Sequence, residues 1–206
     1  IDDATTQTTV VREGNVITPD SAWESKESTV STVYTFKGWS ETKGGAVVDS
    51  FPTVVAGGAN KTFYAVFEES VRTYKVVWTD DNGSVLETDD AVAYNTMPEF
   101  NGTEPSKAAT AQYTYEFAGW TPDVVAVTGE ATYKATFTAT KNKYTVTWVD
   151  ENGKELEKDE NVRYGAQPSY GGELPTKAAT PQFTYTFSGW SPTVDMVTGS
   201  TTYVAQ

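Results

Sequence analysis

From Tyr74 onward the chain repeats itself at a fixed offset of about 70 residues. Tyr74-Lys-Val-Val-Trp78 returns as Tyr144-Thr-Val-Thr-Trp148, and Tyr115-Glu-Phe-Ala-Gly-Trp120 returns as Tyr185-Thr-Phe-Ser-Gly-Trp190. Without a gap, roughly half the positions from Tyr74 to Thr136 match those from Tyr144 to Gln206. The period exceeds the 20 to 50 residues or so of a solenoid, so each copy is expected to close around its own core. The predicted organisation is three units. Residues 1–70 form a divergent repeat with an insertion, and residues 71–140 and 141–206 form two closely matched modules.

Units of about 70 residues sit near the lower size limit for independent folding and need large side chains to fill a core. Six Trp, twelve Tyr and nine Phe supply them, each burying about 150 to 250 Å². There is no cysteine, so no disulfide or thiolate metal site, and the cysteine count fits either the cytosol or the exterior of a bacterium. A formal net charge of −13 and a pI near 4.4 repel nucleic acid and anionic lipid, and DNA and RNA are excluded as partners. No window reaches the length of a membrane-spanning apolar run. Ile1-Asp-Asp-Ala-Thr-Thr6 lacks the basic start of a signal peptide. Any export signal or wall anchor is therefore expected outside this stretch. The last copy stops one residue before the position of Phe137, which predicts that the parent chain continues.

Each full copy opens with a hairpin. Tyr144, Val146 and Trp148 alternate with Thr145, Thr147 and Val149 before Asp150-Glu-Asn152-Gly153, and Tyr74, Val76 and Trp78 stand likewise before Asp80-Asp-Asn82-Gly83. Asn-Gly suits a turn needing positive φ at both central positions. A Pro- and Gly-containing loop follows, from Met97 to Gly102 and from Gln167 to Gly172. Pro105-Ser-Lys107-Ala-Ala109 and Pro175-Thr-Lys177-Ala-Ala179 allow one turn of helix or less before Thr ends the run. Gln112 to Phe117 reads as a strand, Gly119 breaks its two-residue phase and predicts a bulge or bend, and Thr132 to Phe137 reads as the closing strand.

In the first unit, Tyr34-Thr-Phe36-Lys-Gly38-Trp39 restates the aromatic signature and Thr62 to Phe67 restates the closing strand. The segment between them is longer and carries Gly44-Gly45 and Asp49-Ser-Phe51-Pro52, an added loop or hairpin. Too little chain precedes Val10 for the opening hairpin. The sheet edge is expected to lie open or under Trp23.

The Tyr-x-Phe-x-Gly-Trp and Thr-Gly-x-x-Thr-Tyr-x-Ala signatures resemble extracellular repeats of Gram-positive and gut bacterial surface proteins, notably the Listeria-Bacteroides repeat family and the B repeat of listerial internalins. Gly38-Trp39, Gly44-Gly45, Asp49-Ser-Phe51 and Phe63 to Phe67 lie closest to the Listeria-Bacteroides pattern. The Tyr-x-Val-x-Trp-x-Asp-x-x-Gly opening is also similar to mucin-binding repeats. These resemblances imply mainly β modules of β-grasp (ubiquitin-like) type, at most α+β, set end to end on a secreted or wall-attached protein. They imply spacer or adhesive roles and bring no catalytic residues.

The residues give chemistry little support. The Asp80 and Asp150 turns lack the alternating register and distal Glu of an EF-hand loop. Histidine and cysteine, the commonest base and the strongest nucleophile, are both missing. The acidic runs, such as Glu155-Leu-Glu157-Lys-Asp159-Glu160, read as solvated faces. Lys107 and Lys177 recur in register with Asn82 and Asn152, as in spontaneous Lys–Asn crosslinks, but their segments read as exposed. Catalytic, cofactor and metal residues are therefore expected to be none. Trp39, Trp78, Trp120, Trp148, Trp190, Phe117 and Phe187 are assigned to the core rather than to a sugar-stacking platform. Phe100 and Tyr170, outside the strand phase, are the candidate exposed ligand contacts. The six-residue linker Thr138 to Lys143 carries no Gly, and Val71 to Thr73 is shorter still, which favours a monomeric rod. The expected function is a non-enzymatic extracellular stalk or adhesin segment, with a glycan- or mucin-binding module as the alternative. Its partner would be a host or cell-surface protein or glycan.

Overall fold

A computed structural model describes residues 6–206. They are mainly β, with two small mixed-sheet modules in tandem and a single 3₁₀ turn, Ser21–Trp23, among the described residues. The backbone gathers into two compact units. One is built on the chain up to Gly102 together with Thr121–Lys134, and the other on Thr103–Trp120 with Ala135–Gln206.

In the first unit, β1 (Thr32–Ser40) and β2 (Tyr64–Val71) pair antiparallel, with a register shift between Phe36 and Gly38. Gly38 has φ +143°, and a Cβ there would stand 2.4 Å from Val47 Cγ1. Only glycine fits the bulge. Among the described residues before Thr73 this sheet has two strands, β1 and β2, and residues of the insertion pack near it. Phe51 meets Phe63 edge-to-face at 5.2 Å, and Val16 bridges Thr53. Trp23 ends the 3₁₀ turn and donates its indole N–H to Gln7.

The same unit holds the next hairpin, β3 (Thr73–Thr79) with β4 (Val85–Ala93), joined through the Asp80–Gly83 turn. β6 (Ala131–Lys141) begins alongside β3 in parallel, Val76 opposite Ala131 and Trp78 opposite Tyr133. With β5 (Tyr113–Thr121), the sheet order is β4-β3-β6-β5. The first and last strands of the copy are thus parallel neighbours at the centre, each flanked by its antiparallel partner. This is the β-grasp sheet order without its helix. Among the described residues, Pro105 to Ala109 holds no helical turn, because so short a run cannot meet the nucleation cost of a helix.

The second unit repeats the plan with β7 (Lys143–Val149), β8 (Glu155–Arg163), β9 (Trp190–Ser191) and β10 (Thr201–Ala205) in the order β8-β7-β10-β9. β10 has 5 residues where β6 has 11. Ser188 N–H donates to Gln206 O (2.8 Å) and Gln206 N–H to Gly189 O (2.9 Å), extending the pairing just beyond β9 and β10, while Phe183 and Tyr185 are exposed.

Alternation along β7 turns Tyr144, Val146 and Trp148 to one face. There Val146, Trp148, Val197 and Tyr203 form a buried cluster, with Tyr144, Val162, Tyr170, Trp190 and Val194 packed around it. Val76, Trp78, Val127 and Tyr133 repeat the buried set in the middle copy.

Candidate functional site

Trp78 and Trp148 are each 1% exposed. Each lies against the tyrosine of the neighbouring parallel strand, Trp78 on Tyr133 at 4.8 Å and Trp148 on Tyr203 at 4.7 Å. A buried indole N–H needs an acceptor. Asp89 Oδ2 supplies one at 2.9 Å and Asp159 Oδ2 the other at 3.0 Å, both from the antiparallel partner strand.

One further acidic residue on each of those strands organises the loop above. Glu87 accepts the backbone N–H groups of Asn101 (2.8 Å) and Gly102 (2.9 Å), and Glu157 accepts those of Gly171 (2.8 Å) and Gly172 (3.0 Å). Pinning the loop in this way lays its aromatic ring over the tryptophan. Phe100 stands 5.7 Å from Trp78, and Tyr170 stands 5.7 Å from Trp148 and 4.9 Å from Trp190. Both rings are half-buried. Phe100 and Tyr170, expected in solvent as contact residues, thus form the upper layer of the aromatic core. Burial raises the proton affinity of the Glu87 carboxyl, but the Asn101 and Gly102 hydrogen bonds outweigh it and hold the group below its ordinary value.

Trp39, Trp120, Trp190, Phe117 and Phe187 are half-buried. They form edge-to-face pairs beside the glycine bends: Phe36–Trp39 at 5.8 Å, Phe117–Trp120 at 5.4 Å and Phe187–Trp190 at 5.3 Å. Such pairs add about 0.5–1.5 kcal/mol beyond their burial.

The Asp80 and Asp150 turns are closed by their own side chains. Asp80 Oδ1 accepts the N–H of Asn82 and of Ser84 at 2.8 Å each, which lowers its pKa, the Ser84 bond foremost. Asp150 does the same for Asn152 and Lys154. Among the described residues no group of three or more His, Cys, Asp or Glu could hold a metal ion. Lys107 lies 4.9 Å above the Tyr115 ring, Lys177 lies 4.7 Å above Tyr185, and Lys26 lies 3.9 Å above Tyr34. These exposed cation–π pairs recur in all three copies. An open groove of about 680 Å³ runs between β4 and the Thr96–Asn101 stretch, lined by Asp89, Asp90, Met97 and Glu99 among others.

The feature that sequence reasoning missed lies between copies. β2 ends at Val71 and β3 starts at Thr73, while β6 ends at Lys141 and β7 starts at Lys143. A single residue, Arg72 or Asn142, forms each joint. The Arg72 N–H donates to Ser31 O (2.9 Å) and Arg72 O accepts from Tyr94 N (2.8 Å). The Asn142 N–H donates to Gln112 O (2.9 Å) and Asn142 O accepts from Tyr164 N (2.9 Å). Two residues on, the Tyr74 hydroxyl donates to Val30 O and the Tyr144 hydroxyl to Ala111 O. Those carbonyls belong to turns built alike. Thr29 Oγ1 accepts from Thr32 N and Thr110 Oγ1 from Tyr113 N, each at 3.0 Å. Thr180 repeats the turn with Phe183. The signal was present as a threonine three residues after Lys26, Lys107 and Lys177, but it carries meaning only once the joint is folded against it.

No protein-family profile matches the chain, and no curated protein matches it. Among solved structures the chain is similar to streptococcal high identity repeats in tandem (SHIRT), domains 3-4 from a cell surface protein. The identity is 16% and the TM-score 0.33, over 65% of this chain and 96% of that one. So loose a superposition carries neither the fold nor the function, which rest here on the chain's own residues.

Proposed function

We propose that this chain is a non-enzymatic repeat region of a bacterial surface protein, acting outside the cell as a stalk, spacer or adhesin segment. The reading takes residues 1–70, 71–140 and 141–206 as three modules of an elongated, monomeric array. Its main support is the pair of one-residue joints, each clamped by backbone hydrogen bonds on both sides. A flexible linker lets modules wander as a coil, whereas a joint of one bonded residue restricts them. Tandem copies held at fixed spacing give reach, and they multiply weak contacts to a host or cell-surface protein or glycan. The lack of His and Cys agrees with a role without catalysis.

Small-angle scattering on the full chain tests this reading. A compact particle of this length has a radius of gyration of about 17 Å. A value well above it is expected, and a value at the compact limit overturns the spacer role. Glycan or mucin binding is the rival. Binding on a glycan array that disappears in the Phe100→Ala/Tyr170→Ala variant, with the fold retained, would favour the rival.

A further inference from the structure

The two joints share a backbone pattern but differ in one side chain. At the second, Asn142 Nδ2 donates to Thr110 O at 2.8 Å and to Ala111 O at 3.1 Å. Ala111 O also accepts the Tyr144 hydroxyl, so both of its lone pairs are used. The joint residue is thereby tied to the preceding turn by its own N–H, by both amide hydrogens of its side chain, and by the tyrosine two residues on. At the first joint Arg72 stands in the same place. Among the described residues it makes no such clamp to the carbonyls of the Thr29 turn, and its Nε is buried without a hydrogen-bond partner. An arginine cannot shed its charge to relieve that state. A buried donor left unsatisfied is a penalty that opening to water removes.

We propose that the array has one locked joint and one hinge: Asn142 locks the second joint, and Arg72 leaves the first free to open. The opening breaks the Arg72 N–H to Ser31 O and Tyr74 hydroxyl to Val30 O bonds and lets water reach Arg72 Nε. The core strand after the joint stays intact, because Val76 and Trp78 are fully packed. The spacer reading gives this difference its use, a stalk that pivots at one chosen point, but the difference itself stands on the hydrogen bonds.

Amide hydrogen exchange on the full chain reads it directly, since local opening sets the protection of each joint amide. After correction for intrinsic rates, the Arg72 amide should exchange about tenfold or more faster than that of Asn142, the difference expected from one or two hydrogen bonds. Arg72→Asn should remove most of that gap, and Asn142→Ala should bring the second joint close to the first. The Trp78 and Trp148 amides report global unfolding and should not move in Arg72→Asn. A second readout uses the absence of native cysteine. Spin labels at exposed Thr35 and Thr88 should give a broader distance distribution than labels at the matching Glu116 and Lys158. Equal protection and equal widths at the two joints, or no response to Arg72→Asn, overturn the inference. Because the scattering test reads only overall extension, an extended chain with equal joints would refute this inference alone.

Discussion

Replacing Trp148 by alanine should remove most of the stability of the last module. The ring is 1% exposed and touches Tyr203 at 4.7 Å, Trp190 at 4.8 Å and Tyr170 at 5.7 Å. An aromatic side chain of this size removes about 150 to 250 Å² from water, which at about 25 cal/mol per Å² is roughly 4 to 6 kcal/mol. Residual burial in the unfolded chain and the retained alanine methyl reduce this figure, and the cavity left between three rings raises it. The Asp159 carboxylate also loses its indole donor, now at 3.0 Å. The net cost is expected at about 3 to 5 kcal/mol. A domain of this size has only about 3 to 10 kcal/mol in total. Denaturant unfolding followed by the amide spectrum of residues 143–206 separates this module from its neighbours. Trp148→Phe keeps a ring against Tyr203 but no N–H donor, and should cost about 1 to 2 kcal/mol. If Trp148→Ala stays within about 1 kcal/mol of the parent with a native spectrum, the core assignment fails and a surface role for the ring reopens.

Three further outcomes follow from the same geometry. The Phe100→Ala/Tyr170→Ala variant should lose about 1 to 3 kcal/mol in each of the two modules, measured by thermal unfolding, because both rings cap a tryptophan; unchanged stability would contradict that packing. Lowering the pH should release the loop above Trp78. The folded Glu87 pKa lies below its ordinary 4.5, so its contribution is complete above that value and is lost as pH falls through the folded one. The Asn101 and Gly102 amide shifts should therefore titrate with a midpoint below 4.5, and a midpoint at or above it refutes the carboxylate clamp. Gly38→Ala should destabilise the first sheet by more than about 1 kcal/mol, since it adds a Cβ at positive φ and against Val47; a neutral effect in calorimetry would contradict the bulge.

The strand plan could be read from the chain because alternation and turn chemistry are local. Tyr-x-Val-x-Trp fixes a buried face in five residues, Asn-Gly fixes the turn after it, and Gly119 with φ +113° marks the bend where the sequence places it. What could not be read depends on partners distant along the chain. Phe100 breaks the strand phase and so resembles a solvent-facing ring; only Glu87, 14 residues away from Asn101, folds its loop back onto Trp78. Residues 1–70 lack the opening Tyr-x-Val-x-Trp hairpin, and nothing local says that Phe51 of the insertion will meet Phe63. The joints are the sharpest case. Composition and spacing read Thr138 to Lys143 as a short linker. The ladders instead extend to Lys141 and resume at Lys143, because Asn142 finds its partners at Thr110 and Ala111, more than 30 residues back. A residue's bonding to a turn that far upstream leaves no periodicity in its own neighbourhood. Under the proposed locked joint and hinge, the stiffness of such an array is set by pairs of residues that only the folded joint brings together, with Arg72 in the place of Asn142 altering the joint while each module's pattern is kept.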